Sequence, residues 1–206
     1  MSLLPRIILA SRSPDRGAIL EQIGIPFITI PSDIDEEMKK DPESLVLQNS
    51  VKKAEKVGTQ LQSVYKNYIV IGCDTIIIDP YQNIMGKPKD RNDAQQMLRT
   101  LSGKSHKVLS GCSIINYPDR IKYQTVESTL VKFQEISEEE INFYLQNEEW
   151  KNRAGSYAIQ GLGAFLVKEI HGDYYNVVGL PINWIWKIFW DLFGKILIFK
   201  SKEKQK

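Results

Sequence analysis

The sequence predicts an α/β fold, and three observations carry that prediction. An apolar run at residues 6–10 passes through a Ser-rich turn straight into helix-start signals. Residues 68–78, YIVIGCDTIII, form a continuous β-branched run of the kind found in a strand buried on both faces. Between such runs lie segments whose apolar residues recur at helical spacing.

The elements follow in chain order. RIILA reads as the first strand, and SPDRGAILEQIG as a helix with Ser13 at the N-cap, Pro14 at N1 and Gly24 past its end. Strand-like PFITI precedes an acidic loop, PSDIDEE. From Pro42 onward Leu47, Val51, Ala54, Gly58 and Leu61 recur at alternating spacings of four and three, which predicts a long helix carrying Lys52, Lys53 and Lys56 on its other faces. The 68–78 run, closed by DPYQN, is expected at the centre of a sheet. RNDAQQMLRTLSG follows as a helix with Asp90 before it, Ala94, Met97, Leu98 and Leu101 on one face, and Gly103 as its stop. KVLSGCSIINY and IKYQTVESTLVKF are strands around a Pro118-Asp119 turn, with Ile121, Tyr123, Val131 and Phe133 sharing one buried face. Ser137 and Glu140 form a capping box, stapled by Ile136 and Ile141, so a helix begins near 138. AFLVKEI and YYNVVG flank HGD as a hairpin. NWIWKIFWDLFGKILIFK is an amphipathic helix, packed on the core or lying on a membrane surface, because Lys187, Asp191 and Lys195 interrupt it before the ~20 residues of a span. Residues 201–206 read as a polar tail behind a single domain over 1–200.

Composition excludes several classes of function. At 206 residues the chain buries roughly 70% of its unfolded surface and needs no disulfide or metal staple. Hydrophobic residues at 42% and charged residues at 25% exclude disorder for most of the chain. With 27 basic and 25 acidic residues the net charge of +2 gives no general field for nucleic acid or anionic membrane, so any anion site is local. Cys73 and Cys112 lie in apolar runs without CxxC spacing, which predicts buried free thiols. The N-terminal apolar run is too short and too lightly charged for a secretory signal, and a cytoplasmic protein is expected.

Three places hold candidate chemistry. In Ser11-Arg12-Ser13-Pro14-Asp15-Arg16 a strand end meets a helix start, where free N–H groups, hydroxyls and Arg16 suit a phosphate. The same residues also serve simply as caps and a solvated turn. Asp74, taken as the end of the central strand, needs a cleft, a metal or a cation beside it, as a general base, a metal ligand or a structural cap. Lys87 in Gly86-Lys87-Pro88 reaches a phosphate or is an ordinary surface lysine. Glu36 is unremarkable in isolation. Ser102-Gly103-Lys104-Ser105 is no P-loop, because Leu98 stands where the leading Gly belongs, and Gly161-Leu162-Gly163 lacks the rest of a dinucleotide fingerprint. His106 and His171 read as a loop and a turn residue rather than metal ligands.

Taken in order, SRSPDR, SDIDEE, IGCDTIII, MGKPKDRNDAQQMLRTLSGKSHKV and RAGSYAIQGLGAFLVKEIHGDYYNVVGLP resemble the Maf family of nucleoside triphosphate pyrophosphatases from about residue 6 to 190. The resemblance implies a mixed, twisted sheet flanked by helices in two lobes with a central cleft, similar to the inosine triphosphate pyrophosphatases. It implies hydrolysis of a nucleoside triphosphate to the monophosphate and pyrophosphate with a divalent metal (Mg, Mn or Co), commonly by a homodimer. The family's proton-accepting carboxylate falls on Asp74. Its substrate-binding residues fall on Ser11, Arg16, Glu36, Lys53 and Lys87, with Asp74 and Glu36 as candidate metal ligands. Positions tied to base choice fall on Asp15, Thr75 and Gln160, and the DT and IQG pair is similar to the branch that takes dTTP and UTP. Asp15 departs from that branch, which usually has SPRR where this chain has SPDR. An anion there adds repulsion toward a polyphosphate, and Arg12 is the nearby cation offered to offset it. Two other readings remain open: a pyrophosphatase for 7-methyl-GTP or another purine, and a nucleotide-binding regulator of cell division with weak catalysis.

Overall fold

The computed structural model describes residues 5–34 and 41–203, with 195–203 as backbone only. Seven strands among these residues form one sheet: β1 (Arg6–Ala10), β2 (Ile28–Thr29), β3 (Tyr68–Ile78), β4 (Ile84–Met85), β5 (Ser105–Tyr117), β6 (Ile121–Phe133) and β7 (Val167–His171). Their order is β2-β1-β3-β5-β6-β7, with β4 beside β3. β2, β1 and β3 run parallel, whereas β4, β5, β6 and β7 pair antiparallel, so the sheet is mixed. Its helices are α1 (Pro14–Gln22), α2 (Pro42–Leu61), α3 (Arg91–Leu101), α4 (Glu138–Tyr144), α5 (Tyr174–Val178) and α6 (Ile182–Glu203).

The β-branched run is the sheet's central strand, and every residue of β3 except Thr75 is buried. Alternation sends Ile69, Ile71 and Cys73 to one face of the sheet and Val70, Gly72 and Asp74 to the other. On the first face Ile7, Leu9 and Ile71 pack against Ile19 and Leu20 of α1 and Ile182, Ile185 and Phe189 of α6. α2 covers the second face, packing Ala54 and Val57 on Ile8, Val70 and Ile115. Beyond the far ends of β5 and β6, Leu98 of α3 and Ile141 of α4 close a further cluster with Val131, Phe133 and Trp150.

α2 sits very close to the sheet because two facing positions have no side chain. A Cβ on Gly72 would lie 2.0 Å from the Ser50 carbonyl oxygen, and one on Gly111 would lie 2.2 Å from that of Val46. These glycines lie on adjacent strands, and Gly111 is the register partner of Asp74. The helix backbone therefore rests on the sheet beside that carboxylate.

Several local expectations shift. The buried stripe of α2 is Leu45, Val46, Asn49, Ser50, Lys53, Ala54, Val57, Gly58 and Leu61. Leu47 and Val51 are only half-buried, and Lys53 belongs to the buried face rather than the polar one. The segment YYNVV is helix α5, not a hairpin strand, because Asp173 caps it by accepting from the Tyr175 N–H at 2.9 Å and Gly179 ends it at φ 124°. The partner segment splits into a 3₁₀ turn, Gly161–Leu166, followed by β7. β6 buries Val131 and Phe133, but Ile121 is 49% exposed where the strand outruns its cover. The capping box at Ser137–Glu140 forms with both hydrogen bonds. α6 packs on the core through Phe193, breaks at Gly194 (φ 19°, ψ −95°) and resumes as helical backbone to Glu203, so residues 201–203 are helical, while 204–206 lie outside the described residues. No helix among the described residues is long and apolar enough to cross a membrane.

Candidate active site

A cleft of about 1060 Å³ opens where β1 meets α1 and β3 passes under α2. Its lining runs from Ala10–Arg16 through Asn49, Lys53, Asp74 and Thr75 to Lys87, with the segments 149–154 and 157–161 opposite. These residues come from segments far apart in sequence, so the cleft exists only in the folded chain.

Asp74 stands inside β3, not at its end, and is 5% exposed. A carboxylate in such a place needs partners. Lys53 Nζ donates to its Oδ1 at 2.5 Å, and Asn49 Nδ2 donates to its Oδ2 at 2.9 Å. Both donors come from α2 four residues apart, one helical turn, and the close seat on Gly72 and Gly111 brings them within reach. Each carboxylate oxygen has two acceptor directions, so both oxygens keep capacity for water or a phosphate-borne proton.

Thr75 points to the opposite face. Its Oγ1 accepts from Arg16 Nη2 at 3.0 Å and shares a hydrogen bond of 2.9 Å with Ser110 Oγ. Arg16 also donates from Nε to the Gly179 carbonyl at 2.7 Å and from Nη1 to Ser11 Oγ at 3.3 Å. Three of the five guanidinium N–H groups are thus used to fix its plane, and the others remain for an anion. Ser11, 4% exposed, also accepts from the Ser13 N–H at 3.0 Å. Ser13 takes the N-cap position with extended backbone but makes no side-chain cap bond, so the first-turn N–H groups of α1 are not capped by that side chain. Such groups, with the helix dipole, favour an anion.

On the opposite wall Gln160 is exposed into the cleft. The 3₁₀ turn behind it is fixed by Glu149, which accepts from the Leu162 and Gly163 N–H groups at 3.1 and 3.2 Å. Lys87 is exposed on the loop after β4 and lines the same cleft. Asp15 does not face Arg12. It forms an ion pair with Arg153, whose Nη2 donates to Oδ1 at 2.9 Å, whereas Arg12 pairs with Asp33 on the surface. Glu36 lies outside the described residues.

The model of the Maf-like protein family matches residues 6–191. The chain belongs to that family. Among relatives of the Maf-like chain, the dTTP/UTP pyrophosphatase of Ruminiclostridium cellulolyticum is 42% identical over 194 residues, 93% of this chain and 98% of its own. That of Thermosipho africanus is 44% identical over 188 residues, 90% and 93% of the two chains. That of Alkaliphilus oremlandii is 42% identical over 182 residues, 87% and 92%. A solved HAM1 protein from Coxiella burnetii superposes at a TM-score of 0.43 with 15% identity, over 63% of this chain and 73% of that one.

Four polar residues of this Maf-like site are not legible as site residues from the sequence: Asn49, Ser110, Glu149 and Arg153. Asn49 carries a usable signal, since it lies four residues before Lys53 and both interrupt an apolar stripe once the helix phase is set from Leu45. Arg153 and Glu149 carry none, because irregular backbone has no period to place a side chain. His106 is a buried residue of β5, bonded through Nε2 to the Tyr157 hydroxyl at 2.8 Å, rather than a loop residue. His171 is an exposed residue at the end of β7 beside Glu169. Cys73 and Cys112 are buried, free and directly opposed on neighbouring strands.

Asp74 is the carboxylate of the cleft that a divalent metal would meet, since Asp15, Asp33 and Glu149, which also line it, are engaged by Arg153, Arg12 and the Leu162 and Gly163 N–H groups, and no group of three His, Cys, Asp or Glu among the described residues is placed to hold a metal. Mg²⁺ is commonly held by one or two carboxylates together with substrate phosphates. The donor set fits an ion shared with a polyphosphate rather than a cage built by the protein alone.

Proposed function

We propose that this protein hydrolyses dTTP and UTP to the monophosphate and pyrophosphate. The observation that carries the reading is Asp74, a buried carboxylate oriented by Lys53 and Asn49, in one cleft with Arg16, Ser11 and the start of α1. The curated relatives named dTTP/UTP pyrophosphatase, matched over nearly their whole length, support the substrate class.

The chemistry needs an in-line water at the α-phosphorus, a proton acceptor and cations for the leaving pyrophosphate. Asp74 takes the proton from the attacking water as the new P–O bond forms and the α–β anhydride bond breaks. Asn49 and Lys53 hold the carboxylate in one orientation, which spares the reaction that ordering cost. Arg16, fixed by Gly179, Ser11 and Thr75, presents its remaining N–H groups with those of α1 to the phosphates, and Lys87 adds charge from the loop after β4. Thr75 and Gln160, which line the same cleft, are assigned to base selection by the family positions they match. A divalent cation, held by Asp74 with Glu36 as second candidate, supplies charge neutralisation and a more acidic water when bound.

On the same reading the protein is cytoplasmic, which its buried free thiols favour, and works as a homodimer, to be tested by sedimentation. The test of function is pyrophosphate release from a panel of pyrimidine and purine triphosphates, 7-methyl-GTP included, with Mg²⁺, Mn²⁺ or Co²⁺. The expected result is release from dTTP and UTP above all others. A folded protein that releases none from any nucleotide overturns the proposal.

A further inference from the structure

Asp15 is the one acidic side chain at the start of α1, where an incoming polyphosphate would meet the free N–H groups. An unpaired carboxylate there opposes the dipole's attraction for an anion. The structure gives it a partner from the far wall. Arg153 lies between two 3₁₀ turns, 138 residues away, and donates from Nη2 to Asp15 Oδ1 at 2.9 Å, with Nη1 set against Oδ2 as an ion pair. The side chains are 30% and 17% exposed, well below the 74% and 59% of the Arg12–Asp33 surface pair. Burial pulls the Arg153 pKa below its ordinary value. Both residues line the cleft that holds Asp74, Arg16 and Lys53.

We propose that Arg153 is a substrate-positioning residue that acts through Asp15: it neutralises that carboxylate and so makes the start of α1 usable by the nucleotide's phosphates. The pair is one electrostatic unit. Its net charge is zero, and loss of the arginine alone leaves a negative charge beside the polyphosphate, which weakens anion binding by about tenfold at the separations of a cleft wall. Loss of both charges restores a neutral wall and with it most of the affinity. The pair also ties α1 to the segment that carries Glu149 and leads to Gln160.

The proposal rests on the reading of the cleft as a polyphosphate site, and its test is made on binding so that the two can fail separately. Calorimetry with inorganic tripolyphosphate, without metal, is run on the full chain and on Arg153→Gln, Asp15→Asn and the double variant, each checked for folding by its thermal melt. The expected result is a Kd about tenfold higher for Arg153→Gln, unchanged or lower for Asp15→Asn, and within about threefold of the original for the double variant. Arg153→Lys, which keeps the charge, recovers most of the loss. A penalty for Arg153→Gln that persists in the Asp15→Asn background overturns the proposal, since the arginine then binds the anion itself. No penalty, or no tripolyphosphate binding by the original chain, overturns it as well. The predicted pattern in a protein that hydrolyses neither dTTP nor UTP leaves the unit standing and removes the proposed activity instead.

Discussion

Gly72→Ala is the sharpest way to ask whether the seat of α2 on the sheet sets the chemistry. The new Cβ lies 2.0 Å from the Ser50 carbonyl oxygen, against a normal C···O contact of roughly 3.3 Å. The obstacle is helix backbone, with Ala54 Cβ and its N–H at 3.0 Å on the same side, so no flexible side chain can give way. α2 has to lift by about 1 Å. The Asn49 to Asp74 bond, 2.9 Å long, then stretches beyond the roughly 3.2 Å limit of an amide hydrogen bond, and Lys53 retreats from Oδ1. Overpacking of this kind costs about 1–3 kcal/mol of stability. Misplacing a catalytic group by about 1 Å costs on the order of a hundredfold in turnover. Denaturant melts and the rate of pyrophosphate release from UTP, taken where both proteins are folded, separate the two effects. The expected result is a modest stability loss with a large fall in kcat. A variant that is destabilised yet turns over at the original rate refutes the link between the helix seat and Asp74.

Two further predictions concern groups away from the phosphates. Burial holds the His106 pKa at about 4, below its ordinary 6.5, so as pH falls the unfolded chain takes up the proton first. The stability this gives is complete above pH 6.5 and is lost progressively toward pH 4, a difference of roughly 3 kcal/mol. Denaturant melts at pH 7, 5.5 and 4 should show that much more loss in the original protein than in His106→Phe, and parallel slopes would refute the assignment. Glu149→Ala leaves the Leu162 and Gly163 N–H groups without their acceptor and loosens the turn behind Gln160. The ratio of kcat/KM for UTP over a purine triphosphate should narrow by about tenfold, and an unchanged ratio would remove Glu149 from base selection.

The sheet and most helices are legible in the sequence because burial on both faces and helical period leave simple patterns. The β-branched run of β3, the Asp90 cap of α3 and the capping box of α4 are set by neighbours within a few residues. What escapes is decided by contacts distant in sequence. The α2 stripe is misphased by Leu47 and Val51 because the sheet selects small residues, Ser50 and Ala54 against Gly72, over larger apolar ones. YYNVV is rich in residues that favour strands, yet the Asp173 cap makes it a helix, and Asn176 on its buried side donates to the Val108 carbonyl. In the site, Asp74, Lys53, Arg16 and Ser11 are reachable through motif resemblance, whereas the partner of Asp15 lies 138 residues away in irregular backbone. No local rule connects the two.

On the proposed function Asp74, held by Lys53 and Asn49, accepts the proton in nucleotide hydrolysis. Asp74→Asn tests it most directly, because the amide keeps an oxygen for Lys53 while Asn49 can turn its own oxygen to the new NH₂. Turnover of dTTP and UTP at saturation, measured beside the Kd for dTTP, should show kcat falling by roughly a thousandfold with affinity within about threefold. A variant that keeps more than about a tenth of the original turnover would contradict the account, because a carboxylamide cannot accept the proton.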